Sequence, residues 1–226
     1  MKVSVIIPTY NEAKTIKKII IRVKQQRFKG ATKEIIVVND GSTDATKRIL
    51  RLLSGLTVIN LGKNHGKGAA VRRGVQAATG DYVLIQDADL EYDPADINAL
   101  IEPVLTKKAL VVYGSRFLGP HRNMLFWHMV GNKFLSLMAD LLYNTTLSDM
   151  EVGYKLIPRP LMLALNLQEP RFGFDPEVTS KILKRDIRIY EVPVSYSGRE
   201  FAEGKKITWV DGIRAFILML KYRFFA

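Results

Sequence analysis

The sequence predicts an α/β fold with a Rossmann-like, mostly parallel sheet flanked by helices. Short apolar runs rich in Val and Ile alternate with longer segments in which apolar residues recur every three or four positions. Polar, turn-forming residues follow the apolar runs. This alternation is typical of β-α-β units, whose right-handed crossovers join parallel strands. Ligands bind such sheets beyond the carboxyl ends of the strands, so functional residues are expected there.

The first half of the chain is predicted to contain four strands and three helices. Pro8 ends the first strand, and Asn11 is the predicted N-cap of the helix that follows it. The four strands lie at residues 2–7, 34–38, 57–61 and 82–85. The helices are indicated by Ile16, Ile19, Ile20 and Val23, by Ile49, Leu52 and Leu53, and by a segment that runs to about Ala78.

In the second half the pattern changes at a long, aromatic and Met-rich helical segment, residues 124–143. This segment is either a core helix or a helix at a membrane interface, where Trp and Phe rings lie at headgroup depth. The final amphipathic helix, from about 208 to 225, follows a basic loop. It either docks on the sheet or faces an anionic membrane. The other predicted elements are a helix after Pro94, strands at 109–113 and 187–192, and a helix at 176–184.

The composition narrows the function classes. A net charge of +12 favours polyanionic partners, namely nucleic acid, lipid headgroups or phosphorylated substrates. The alternative is a Lys-rich surface that only keeps the protein in solution. The chain has no cysteine, which excludes disulfides, thiolate zinc sites and thiol catalysis. Neither a secretory signal nor a transmembrane segment is predicted.

Two carboxylates directly follow the predicted strand 82–85. Asp87 and Asp89 are two residues apart, and in an extended backbone such residues project to the same side. Both would then face one hard divalent cation, Mg²⁺ or Mn²⁺, which could hold a diphosphate and stabilise it as it leaves. The alternative is the polar start of a surface loop. Polar residues also follow two other strands, at 9–12 and 39–44, so the three strand ends are expected to converge on one crevice.

Several common motifs are missing. The turn after the first strand holds Pro8 to Glu12 where a dinucleotide-binding fold needs G-x-G-x-x-G, and the glycines at 62–68 do not have P-loop spacing. The three histidines form no zinc motif. Basic residues are scattered over several elements, so no nucleic-acid partner is expected.

Four motifs of the first half occur in a characteristic order and spacing: VSVIIPTYNE at 3–12, VNDGSTD at 38–44, NHGKG at 64–68 with Gly74, and DAD at 87–89. Jointly they resemble those of family 2 glycosyltransferases with the GT-A fold. Further motifs make the chain similar to the dolichyl-phosphate mannose or glucose synthase branch. They are GSR at 114–116, DMEVGYK at 149–155, RFGF at 171–174 and the segment 196–206.

The resemblance implies metal-dependent, inverting transfer of a hexose to a polyprenyl (dolichyl) phosphate at the membrane surface. The donor would be a nucleotide diphosphate sugar, GDP-mannose or UDP-glucose. Residues 1–226 would form one domain, with a nucleotide-sugar-binding half at 1–115 and an acceptor and membrane-proximal half at 116–226. A phosphate monoester has a second pKa of ~6, so such an acceptor is already a dianion near neutral pH and needs no strong general base.

The resemblance also assigns roles to individual residues. The cation, Mg²⁺ or Mn²⁺, would be held by Asp87, Asp89 and Glu91, although many relatives have Gln at the last position. Asp149 is expected to contact the sugar or to order Lys155 and the arginines. The nucleotide sugar would contact Pro8, Tyr10, Glu12, Val38, Asp40, Lys67, Gly68, Asp87, Ala88 and Asp89. The acceptor phosphate would contact Arg116, Lys133, Arg199 and Lys205. The catalytic group would be Asp89, Arg116, Asp149 and Arg199.

The predicted location is cytoplasmic, peripheral on the cytoplasmic face of a membrane, and an integral membrane partner is an open alternative. Three other functions also stay open. One is a family 2 transferase with a hydroxyl acceptor. Another is a nucleotidyltransferase, which the missing Gly-rich turn disfavours. The third is a non-enzymatic basic protein that binds membranes or nucleic acid, although such a protein has no need of carboxylates at three strand ends.

Overall fold

The structure, a computed structural model, describes residues 1–122, 124–198 and 209–225, without the side chain of Trp209. Its strands are β1 (Lys2–Thr9), β2 (Thr32–Asn39), β3 (Thr57–Asn60), β4 (Tyr82–Ile85), β5 (Val111–Ser115), β6 (Lys155–Pro158) and β7 (Ile189–Pro193). Its helices are α1 (Ile16–Gln25), α2 (Thr46–Arg51), α3 (Lys67–Ala77), α4 (Ile97–Leu105), α5 (Phe126–Tyr143), α6 (Arg159–Ala164), α7 (Phe174–Leu183) and α8 (Trp209–Phe224), with a 3₁₀ turn at Pro94–Asp96.

The strands form one sheet in the order β3-β2-β1-β4-β6-β5-β7. β1 pairs in parallel with β2 and β4, β2 with β3, and β5 with β7. β6 runs antiparallel between β4 and β5. The predicted mostly parallel α/β fold is therefore confirmed.

The central strands are stable because helices cover both faces of the sheet. Val3, Val5, Ile6 and Ile7 of β1 are all buried, although they point alternately to opposite faces. Burying each such side chain contributes ~1.5–3 kcal/mol relative to leaving it in water. This packing fixes the carboxyl ends of β1, β2 and β4 at one edge of the sheet.

β6 and α6 were not predicted from the sequence. β6 has only four residues and begins at Lys155, whose charge argues against a buried strand. The structure buries this lysine completely, and its ammonium donates to the carboxylate of Asp175 in α7. A tertiary ion pair therefore makes the strand possible.

Two details of the first half differ from the prediction. Asn11 does not cap α1, which begins at Ile16 after Thr15. Asn11 has a positive φ of 53°, and its Oδ1 accepts from the main-chain N of Thr43 at 2.8 Å, so it links the turns after β1 and β2. Leu52, predicted on the apolar side of the second helix, is 82% exposed because α2 ends at Arg51.

Helices α5 and α8 pack against each other through a small cluster that includes Leu135, Ala139, Ala215 and Met219. α8 also packs on α7. The interpretation of α5 as a core helix is wrong, since most of its large apolar residues face outward. We call the exposed apolar surface of the two helices the outer face. It consists of Phe126, Trp127, Val130, Phe134, Leu137 and Leu141 of α5 and Val210, Ile213, Ile217 and Phe224 of α8.

Within the described ranges, no helix has the length and apolar character needed to cross a lipid bilayer.

Candidate active site

A cavity of about 1060 Å³ opens at the carboxyl ends of the central strands. The predicted convergence of three strand ends is confirmed, because the turn after β1, Asp40 after β2 and the turn after β4 all line this cavity. Arg116, which follows β5, adds a fourth strand end. The lining residues from these strand ends and turns are Pro8, Thr9, Tyr10, Glu12, Asp40, Asp87, Ala88, Asp89, Glu91 and Arg116.

Asp40 shapes one side of the cavity. Its carboxylate accepts hydrogen bonds from the main-chain N of His65 at 2.8 Å and of Gly66 at 2.7 Å, and from Asn64 Nδ2 at 3.0 Å. These bonds hold the loop that leads into α3. They also place Lys67, the first residue of α3, over the floor of the cavity.

Lys67 joins two carboxylates at the floor. Its Nζ lies 2.9 Å from Asp87 Oδ1 and 3.8 Å from Asp175 Oδ2. Burial by itself would lower the pKa of Lys67, but Asp87 and Asp175 outweigh burial and raise it above its ordinary value. Lys67 therefore stays charged at the point where a polyphosphate would meet the floor.

The loop before β6 approaches the same point. A Cβ on Gly153 would lie 2.3 Å from Asp87 Oδ2 and 2.9 Å from the ring of Tyr92, so only glycine fits here without displacing Asp87. The main-chain N of Gly153 donates to the hydroxyl of Tyr92 at 2.9 Å. This loop is therefore part of the wall beside Asp87.

Arg116 is held by a buried ion pair. Its Nε donates to Asp149 Oδ2 at 2.7 Å, its second terminal nitrogen donates to Oδ1 at 2.6 Å, and its main-chain N donates to Oδ2 at 3.0 Å. Asp149 is fully buried and does not line the cavity. Of the two roles expected for Asp149, the structure shows the ordering of Arg116. Lys155, which Asp149 was also expected to order, pairs with Asp175 instead.

Tyr196 connects Arg116 to the turn after β4. Its ring lies 5.2 Å from the guanidinium carbon of Arg116, and its hydroxyl donates to Glu91 Oε2 at 2.8 Å. Tyr92 stacks on Tyr154 with ring centroids 4.8 Å apart and touches Tyr196 at 5.4 Å. This aromatic layer fixes the position of Arg116 relative to Asp87 and Asp89.

The three carboxylates expected to hold a cation do not form a cage. In the part of the chain that the structure describes, no three His, Asp or Glu side chains are arranged to share a metal ion. Glu91 bonds Tyr196 and Asp87 bonds Lys67. Asp87 and Asp89 nevertheless both line the cavity. Mg²⁺ is commonly held by one or two carboxylates, with substrate phosphates and water as the other ligands. The donor set fits a cation of that kind.

The other predicted residues do not line the cavity or lie outside the described residues. Val38 is fully buried in the core and does not line the cavity. Gly68 does not line the cavity, because a Cβ there would lie 2.2 Å from the carbonyl oxygen of Glu169, which packs against α3. Lys133 is exposed with its ammonium 4.4 Å from the ring of Phe117, outside the lining. Arg199 and Lys205 lie outside the described residues.

The mouth of the cavity differs chemically from its floor. Side chains from α5, α8 and the segment before α5 make it largely apolar. They are Met124, Leu125, Trp127, Phe134, Ile213 and Phe216. Trp127 and Phe134 also belong to the outer face, so the cavity opens toward that face.

Sequence reasoning missed two acidic residues of the site. Asp175 pairs with both Lys67 and Lys155, and the predicted helix started one residue after it, although Asp in a first helical turn is a recognised signal. Glu151 lines the cavity between Asp149 and Gly153. The motif at 149–155 includes Glu151 but gave it no role, because its environment depends on neighbours distant in the chain.

Comparison with known proteins agrees with this architecture. The dolichyl-phosphate β-glucosyltransferase ALG5D of Trichomonas vaginalis is 30% identical over 99% of this chain and 73% of its own length. Glycosyltransferase AglJ of Haloferax volcanii is 30% identical over 87% of this chain, which spans only 63% of that protein. The UDP-N-acetylglucosamine–dolichyl-phosphate N-acetylglucosaminyltransferase of Methanococcus voltae is 28% identical over 96% of this chain and 94% of its own length.

Among solved structures, glucosyl-3-phosphoglycerate synthase from Mycobacterium tuberculosis, in complex with Mn²⁺, UDP and phosphoglyceric acid, shares the fold. It superposes with a TM-score of 0.77 at 22% identity, over 100% of this chain and 79% of that chain. The model of the family described as "Glycosyl transferase family 2" matches residues 4–162, well over half of the sequence. The chain therefore belongs to glycosyl transferase family 2.

Proposed function

We propose that this protein transfers a hexose from a nucleotide diphosphate sugar to a polyprenyl phosphate, with inversion at the anomeric carbon, while bound peripherally to a membrane surface. The names of the Trichomonas and Methanococcus relatives support a dolichyl-phosphate acceptor. The base and the sugar of the donor are left to experiment, with GDP-mannose and UDP-glucose as the first candidates.

One observation carries the proposal: a single cavity has a charged floor at the strand ends and an apolar mouth between α5 and α8. A nucleotide sugar carries its charge in the diphosphate, which suits the floor at Lys67. A polyprenyl phosphate has an anionic head and a long apolar tail, which suit Arg116 and the mouth respectively. Neither a basic binding module nor a transferase with a small polar acceptor requires both regions in one cavity.

The residues of the floor would act by holding charge in place. Lys67 binds the donor diphosphate, while Asp87 and Asp89 would hold the Mg²⁺ or Mn²⁺ ion, which when bound neutralises charge on the leaving diphosphate. Arg116, fixed by Asp149, holds the acceptor phosphate in line with the anomeric carbon. A phosphate oxygen forms the new bond to that carbon as the bond to the diphosphate breaks. We assign Asp149 to positioning Arg116 rather than to proton transfer, because both of its oxygens bond Arg116.

Calorimetric titration tests the donor. GDP-mannose, UDP-glucose and UDP-N-acetylglucosamine are each added with Mn²⁺ and, separately, with EDTA. We expect one of them to bind, and to bind at least about tenfold more weakly in EDTA because the cation links donor and carboxylates. Transfer of the labelled sugar to a polyprenyl phosphate, with a free alcohol of the same chain as control, then tests the acceptor. Absence of binding by every donor, or transfer to the alcohol alone, would contradict the proposal.

The outer face is the proposed membrane contact. Trp127 is 79% exposed and Phe126 is 61% exposed, and such rings gain free energy at the headgroup layer. Replacing both with Ser is expected to weaken binding to vesicles of phosphatidylcholine and phosphatidylglycerol about tenfold or more, roughly 1.4 kcal/mol. Co-sedimentation measures this binding. The matched control is Leu52→Ser, which removes an equally exposed apolar side chain just after α2. Equal losses in the two variants would contradict the assignment.

A further inference from the structure

Glu151 has an unusual environment in the cavity wall. It lies in the loop before β6 and lines the cavity, yet its Oε1 is buried and has no hydrogen-bond partner among the residues that the structure describes. A buried carboxyl oxygen without a partner is costly, since it has given up its bonds to water. Such an atom indicates that a bound ligand supplies the missing hydrogen-bond partner.

The charged neighbours of Glu151 form ion pairs with each other. Arg116, after β5, is bonded by both oxygens of Asp149. Lys155, in β6, donates to Asp175 of α7. The two cations that act on Glu151 are therefore neutralised by other carboxylates. Glu151 lines the cavity and forms no ion pair with any residue that the structure describes.

The position of the loop indicates which part of a ligand Glu151 meets. Two residues after it, Gly153 packs against Asp87 at the proposed diphosphate site. Two residues before it, Asp149 holds Arg116 at the proposed acceptor site. In the proposed reaction the hexose lies between the donor diphosphate and the acceptor phosphate. Glu151 thus occupies the wall between these two anion sites.

We propose that Glu151 is a sugar-specificity residue, whose carboxyl group hydrogen-bonds a ring hydroxyl of the donor hexose. This inference rests on the proposed function. It assigns recognition of the sugar, as distinct from recognition of the nucleotide, to this part of the site. It also accounts for the unpartnered Oε1, which the hydroxyl would satisfy.

The protonation state of Glu151 suits this role. Burial, and after it the carboxylate of Asp175, raises the pKa of Glu151 to about 8, with Asp149 adding to the rise and Lys155 and Arg116 opposing it. At neutral pH the carboxyl is therefore protonated. One oxygen can donate to a hydroxyl oxygen while the other accepts from a hydroxyl proton. The amide of glutamine offers the same pair of functions, whereas leucine has a similar volume and offers neither.

The experiment compares Glu151→Gln and Glu151→Leu with the wild-type protein. The probes are the nucleotide sugar that the wild-type protein binds and the corresponding nucleoside diphosphate without sugar, both titrated calorimetrically with Mn²⁺. We expect Glu151→Leu to bind the nucleotide sugar about tenfold more weakly and the bare diphosphate equally well. Glu151→Gln should retain both affinities within about twofold. Unchanged affinity for the diphosphate also shows that the variant is folded.

The pH dependence provides an independent readout. As the pH rises above about 8, the wild-type protein should lose affinity for the nucleotide sugar relative to the diphosphate, because the donated proton is gone, whereas Glu151→Gln should not. Equal losses for both probes in Glu151→Leu, or no loss for either, would overturn the assignment while leaving the proposed function intact. Failure of the wild-type protein to bind any donor would overturn the proposed function itself.

Discussion

Replacing Asp87 with Asn is expected to reduce hexose transfer about 100- to 1000-fold, roughly 3–4 kcal/mol of transition-state stabilisation. Asp87 is the nearest anion to Lys67 and one of the two carboxylates proposed to hold the cation. The amide keeps the shape and can still accept from Lys67, but it lacks the charge that binds a divalent ion. The fold should change little, because Lys67 keeps Asp175 as a partner.

Two measurements separate this effect from misfolding. Donor affinity with and without EDTA should become the same in the variant, and its thermal midpoint should stay within a few degrees of wild type. The matched control is Asp186→Asn, the same chemical change at an exposed position outside the cavity. Its φ is 57°, which asparagine accepts readily. Metal-dependent donor binding that persists in Asp87→Asn would contradict the proposed cation site.

Replacing Asp149 with Asn is expected to lower the free energy of unfolding by about 3–5 kcal/mol, since it leaves the Arg116 guanidinium buried without a counter-charge. For a chain of this size that corresponds to a fall in the thermal midpoint of roughly 6–20 °C. Asn can still accept a hydrogen bond from the main-chain N of Arg116. The loss of stability therefore measures the contribution of the ion pair. Transfer should fall as well, because Arg116 is no longer held in place.

A double-mutant cycle distinguishes positioning from chemistry. Arg116→Met alone is also expected to lower the free energy of unfolding, because it leaves the buried carboxylate of Asp149 without a counter-charge. The double variant, Arg116→Met with Asp149→Asn, should recover much of the stability, because neither charge is then buried alone. It should remain inactive, because no cation holds the acceptor phosphate. A stable Asp149→Asn variant that had lost all transfer would instead indicate a direct chemical role for Asp149.

Local patterns predicted most of the first half of the fold because those patterns are strong there. The runs before Pro8 and before Asp87 are apolar on both faces, as strands covered on both sides must be, and both were found within two residues of their predicted bounds. The strand ends and their shared cavity followed from topology alone. β6 was missed because a lysine is not expected in a buried strand, and the ion pair with Asp175 from α7 compensates for its charge.

In the candidate site, too, local patterns predicted some features and tertiary contacts decided others. Motifs indicated Asp87, Asp89 and Arg116, which line the cavity, but they also indicated Gly68 and Asp149, which do not. Gly68 permits close packing of α3 against residue 169, and Asp149 orders Arg116. Sequence spacing gives the order of such residues but not their distances, so it cannot distinguish a ligand from the residue that supports a ligand.

The sequence by itself determined the alternation of strands and helices, the edge of the sheet where polar residues gather and the family to which the chain is similar. The alternation and the polar strand ends follow from the properties of residues near each other in the chain, and the family similarity follows from the order and spacing of motifs. Only the tertiary structure decided which charges pair, that α5 faces outward, and that Glu151 Oε1 has no hydrogen-bond partner among the described residues. Those outcomes depend on contacts between distant segments, where burial removes water and makes each unpaired polar atom costly.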